Sequence, residues 1–125
     1  MAPGLVVSKG PNPGTALSQP LSTQGVGVYV GALELDVLLG DVASLKQKRS
    51  AVRPVVAELR RRFDVAAAEA GHLDLHRRAL IGVCAVAADA GHVRTVLGSC
   101  ERLVAARPEL ELLSARHRML GPDDD

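Results

Sequence analysis

Aromatic side chains are almost missing from this chain, which has no tryptophan, one tyrosine (Tyr29) and one phenylalanine (Phe63) among its 125 residues. Without an aromatic platform, base stacking is excluded as a recognition mode, and any contact with nucleic acid has to run through the phosphate backbone. Cysteine is scarce too. Cys84 and Cys100 stand sixteen positions apart in apolar surroundings, with no C-x-x-C spacing, so they read as small buried hydrophobes in a reducing compartment and not as a disulfide or a zinc pair. No stretch approaches the roughly 18 apolar residues of a membrane span. The N-terminus lacks the charged start and apolar h-region of a signal peptide. A cytoplasmic protein with no membrane partner is therefore expected. Catalytic signatures are missing as well: the sequence shows no Ser, His and Asp set and no phosphate-cradling glycine loop. It reads as a non-enzyme without a cofactor.

What the chain does have is charge concentrated in one place. From Ser44 to Phe63 (SLKQKRSAVRPVVAELRRRF), Lys46, Lys48, Arg49, Arg53, Arg60, Arg61 and Arg62 stand against Glu58 alone, in a molecule whose net charge is +1. Leu45, Val52, Val55, Val56, Leu59 and Phe63 recur at helical intervals, so this stretch is predicted to be an amphipathic helix with one buried stripe. Ser44 and Gln47 supply an S-x-x-Q capping box at its start. At 100° per residue Lys46, Arg49, Arg53 and Arg60 form a ridge beside the stripe, while Arg61 points away from the core. Pro54 removes one backbone bond within the helix, at a cost of about 3 kcal/mol unless a bend absorbs it.

The remaining segments organise around this helix as one domain. Residues 1–25 hold four of the seven prolines and bury too little to offset their ordering entropy, so they are expected to be a disordered tail, with a translation start near Val26 or Val28 as the alternative. Val26 to Leu39 alternates apolar and polar and is predicted to be a strand. Asp64 to Ala70 is Ala-rich, and propensity favours helix there. Ala79 to Ala88 is apolar on both faces, as in a central strand. His92 to Arg107 has helical spacing and stops at Pro108. Leu110 to Arg116 fits a last strand. The expected domain is 26–118, with an acidic tail over 119–125. Strand, helix, strand, strand, helix, strand is the α+β, ferredoxin-like split βαβ plan, with two helices on one face of an antiparallel sheet. Such a sheet leaves Val28, Val30 and half of Ala79 to Ala88 facing outward, and a homodimer through that open face, or a partner protein, is expected to cover them.

The motif S-L-K-x-K-R-S (Ser44, Leu45, Lys46, Lys48, Arg49, Ser50), with Ala68, Glu69, Arg77, Arg78 and Ala79 downstream, resembles the YlxP-like family, a bacterial domain of unknown function, over roughly 28–118. The resemblance implies a ferredoxin-like fold, a strand over Val65 to Glu69, and a gene setting among translation and ribosome-maturation factors. It implies no catalytic residue, and the proline-rich start departs from the family's short one.

Among candidate sites, His72, His76, His92 and His117 lack a cysteine or carboxylate at ligand spacing, so no metal is expected. Glu34 and Asp36 read as a solvated strand side. An acylphosphatase-like loop would need an arginine that Gly40 to Ser44 (GDVAS) lacks. The expected site is an RNA-binding face made by Lys46, Lys48, Arg49, Arg53, Arg60 and Arg61, its partner an RNA or a ribosomal subunit in small-subunit maturation or translation. The alternative is a dimeric small-molecule-sensing or protein-interaction module.

Overall fold

The computed structural model describes Gly27 to Asp123. The tail expected over 1–25, the alternative start at Val26 and the last two aspartates lie outside the described residues. Along the chain come β1 (Tyr29–Leu39), α1 (Leu45–Arg62), β2 (Ala66–Gly71), β3 (Arg78–Ala87), α2 (Ala90–Ala105) and β4 (Leu110–Leu120). The strands form one antiparallel sheet in the order β2-β3-β1-β4. This is the ferredoxin-like α+β arrangement, and it follows from pattern: Leu33, Leu35, Val37 and Leu39 are buried while their neighbours are not. Ala79, Ile81, Val83 and Ala85 repeat that alternation on β3. Both helices close over this one face, burying Val52, Val55 and Leu59 of α1 and Val93, Leu97 and Val104 of α2. Arg107 ties the end of α2 to α1 through Glu58 (2.7 Å).

Several segments depart from expectation for local reasons. Within the stretch Asp64 to Ala70, where propensity favours helix, Ala66 onward is strand, as the family resemblance implied. β2 has only six residues, too few for an unsupported helix, and pairing with β3 supplies its backbone partners. Tertiary pairing outweighs propensity here. The helix α1 continues through Pro54, which is exposed, so the carbonyl the proline cannot bond stays open to water. The helix α2 begins at Ala90 because Asp89 caps it, its carboxylate accepting the His92 N–H at 2.9 Å. The strand β4 runs on to Leu120, past Arg116 where the last strand was expected to end, and a bulge at Leu113 shifts its register against β1.

Among the described residues nothing covers the second face of the sheet. Cys84 lies there half-exposed, contrary to its expected burial, because it falls on the outward phase of β3. Cys100 is buried as expected, and burial pushes its thiol up to about 11, which leaves it inert at neutral pH. No helix among the described residues is long and apolar enough to cross a membrane.

Candidate nucleic-acid interface

The cationic flank is built by the way α1 starts and by what it packs against. Ser44 Oγ accepts the Gln47 N–H at 3.1 Å, and Gln47 Oε1 reaches back to the Ala43 N–H at 2.7 Å. This is the expected capping box with its return bond one residue earlier. The first turn carries no acid. Lys46, Arg49 and Arg53 are exposed, and no carboxylate among the described residues pairs with them. Four other arginines do have such partners: Arg62 with Glu58, Arg78 with Asp36, Arg107 with Glu58 and Glu109, and Arg116 with Glu34.

Along this flank runs a groove of about 550 Å³ between α1 and the outer edge of β2. Arg49, Arg53 and Arg60 line it, together with Val56, Ala68 and Glu69. At its far end Arg60 donates from Nε (3.1 Å) and Nη2 (2.8 Å) to the carbonyl of Ala67. A carbonyl so engaged points away from β3, so Arg60 also guards an open strand edge against pairing. Arg61 is exposed on the helix shoulder beyond the groove.

Lys48 does not belong to this surface. It is 1% exposed. Its Nζ lies 2.8 Å from Glu69 Oε2 and donates to the carbonyls of His72 (2.6 Å) and Leu75 (2.8 Å). Three N–H bonds meet three acceptors, which satisfies the ammonium completely. The reason is rotational: at 100° per residue Lys48 falls in phase with Val52 and Val55, inside the buried stripe. It clamps the β2–β3 loop, where His72 adopts a left-handed φ of 57° and Leu73 and Leu75 remain exposed. Sequence reasoning missed this group.

Beside the clamp, Asp36 is gripped by Arg78, whose Nε and Nη2 reach Oδ1 at 3.1 and 2.9 Å and whose Nη2 reaches Oδ2 at 2.7 Å. His72 Nε2 stands 3.4 Å from the same carboxylate, and Glu34 pairs with Arg116 at 3.2 Å. The strand side expected to be merely solvated is therefore ion-paired. The Arg78 guanidinium holds the Asp36 carboxyl below its ordinary range; partial burial opposes that pull, and His72 adds to it. A carboxyl with a depressed folded pKa stabilises the protein above its unfolded value of about 4, and that contribution disappears as pH falls through the folded value. Arg78→Leu is therefore expected to cost on the order of 1 kcal/mol at neutral pH, a modest amount because water screens this half-exposed pair. The gap between parent and variant should shrink in urea titrations at pH 3. An equal gap at both pH values would show that the pair is not its source. Among the described residues no group of three or more His, Cys, Asp or Glu is arranged to hold a metal.

Compared with known proteins, residues 30–117 match the family model described as "Protein of unknown function (DUF503)". The chain is also 26% identical over 82 residues to "Uncharacterized protein YlxP" of Bacillus subtilis (strain 168). That alignment covers 66% of this chain and 89% of the relative.

Proposed function

The chain belongs to the family of proteins of unknown function DUF503, and from that premise we propose that it is a non-enzymatic, RNA- or ribosome-associated bacterial accessory factor. In this reading it serves translation or small-subunit maturation, a step of ribosome biogenesis. It grips phosphate backbone with Lys46, Arg49 and Arg53, while Arg60 closes the end of the groove. The observation that carries the reading is the set of three exposed cations without carboxylate partners among the described residues, on one flank of one helix. Lys46, in the first turn of α1, is unfavourable to the helix itself, since a cation there opposes the macrodipole by about 0.3–1 kcal/mol. An anion returns that energy. With no aromatic platform, binding is directed by shape and phosphate and is weakly selective for sequence.

The test replaces Lys46, Arg49 and Arg53 together by Gln and leaves Lys48 intact, because Lys48 holds the fold. Binding to an A-form RNA duplex and to purified small ribosomal subunits is measured across salt concentrations. The variant should bind more weakly to every sequence, with a salt slope lower by about 2–3, at roughly 0.7–0.9 for each phosphate no longer neutralised. A folded variant with the parent's affinity and slope would overturn the reading.

A further inference from the structure

The sheet face that the described residues leave uncovered has a regular layout. Strand register sets it out in rows that run from β4 through β1 and β3 to β2. One row reads Arg118, Ala32, Cys84, Ala66, and the next reads Arg116, Glu34, Gly82, Ala68. At the end nearest the start of β1, Leu120, Val30 and Val86 lie side by side, with Leu120 and Val86 more than 60% exposed. The β4 side of the face is thus raised by long side chains. The β2 side is recessed into a trough of about 360 Å³ lined by Ala32, Glu34, Ala66, Ala68, Ala70 and Gly82.

From this pattern we infer that two copies of the chain associate face to face, about a two-fold axis running along the strands between β1 and β3. That axis lays β4 of each copy over β2 of the other, and β1 over β3, row upon row. Arg118 then lies over the second copy's Ala66 and Arg116 over its Ala68. Glu34 lies over its Gly82, and Val30 over its Val86. In the two central rows each long side chain meets a small one, and the apolar rows meet each other, in an isologous arrangement. An axis across the strands would instead set the apolar row on the charged end around Asp36 and Arg78, so it is disfavoured. Within each copy the Arg116–Glu34 pair at 3.2 Å balances part of the charge on the face. Arg118 has no carboxylate partner among the described residues, and Glu34 lines the trough into which the second copy's arginines descend. Four strands about 4.8 Å apart, overlapping over an average of about eight residues at about 3.4 Å each, present roughly 500 Å² per copy. The pair then buries about 1,000 Å², the threshold for a specific interface. Both α1 ridges stay outside on opposite surfaces, so this inference stands independently of RNA binding.

Light scattering on the full chain at micromolar concentration should give twice the 13.1 kDa chain mass. Ala68→Arg puts a charged side chain where the second copy's Arg116 would sit, on an exposed position of an edge strand, and should give the single-chain mass with unchanged far-UV circular dichroism. The Cys84 thiol provides a reading on the unaltered protein. Its maleimide labelling should slow about tenfold as protein concentration rises through the association range. A parent that stays at single-chain mass, an Ala68→Arg variant that still dimerises, or a labelling rate indifferent to concentration would each overturn the proposal.

Discussion

Lys48→Met is expected to destabilise the domain by about 3 kcal/mol, read from urea midpoints at constant slope. Methionine retains most of the apolar stem, so the loss is electrostatic and not a cavity. What remains after the substitution is the Glu69 carboxylate, 20% exposed, and the carbonyls of His72 and Leu75, each stripped of a short bond. An unsatisfied buried acceptor costs about 1–3 kcal/mol. Partial hydration of Glu69 keeps the total near the lower end of what breaking a buried pair costs. Glu69→Leu alone should also destabilise, because it strands a buried ammonium. The double variant Lys48→Met with Glu69→Leu should lose clearly less than the sum of the two, as members of one network do. Lys46→Gln, two residues away and exposed, should change stability by less than about 0.5 kcal/mol. Additive losses, or a Lys48→Met cost below about 1 kcal/mol, would mean that the loop is held by something else.

The contrast between Lys46 and Lys48 shows what the sequence made legible and what it did not. The helical count that puts Lys46, Arg49 and Arg53 on one flank also puts Lys48 in line with Val52 and Val55. Grouping residues by charge hid a position that periodicity had already assigned to the core. Its partners could not be read at all: His72 and Leu75 lie 24 and 27 residues away, and nothing local marks their carbonyls as acceptors. The strands β1 and β3 were legible because alternation is a local property of half-buried sheet. The strand β2 was not legible from propensity, because VAAAEAG becomes a strand only by pairing with β3. The dimer proposed for the open face is more distant still. It depends on register across four strands, and register follows from which face is buried and from the bulge at Leu113.

Gly31→Ala is expected to cost about 2–3 kcal/mol, although alanine is by itself the better strand residue. Relieving glycine's backbone freedom in a strand would stabilise by about 0.5–1 kcal/mol. Against that, a Cβ on Gly31 would stand 2.4 Å from Val93 Cγ1 and 2.7 Å from Leu97 Cδ1. Neither neighbour can give way. Val93 is fully buried and Leu97 nearly so, and the branched Val93 has one strongly preferred helical rotamer. The start of α2 would therefore have to lift from the sheet, and overpacking of this kind typically costs about 1–3 kcal/mol. Gly31 thus sets how closely α2 sits on β1. Val93→Ala alone should destabilise by opening a cavity. In the Gly31→Ala background the new methyl occupies part of that space, so the double variant should be more stable than the sum of the single losses predicts. Additivity in this cycle would mean that this close approach does not limit the packing. The helix concerned is not the one that carries Lys46, Arg49 and Arg53. A folded Gly31→Ala protein should accordingly keep the parent's RNA affinity and salt slope while its urea midpoint falls, which separates damage to the fold from damage to the binding flank.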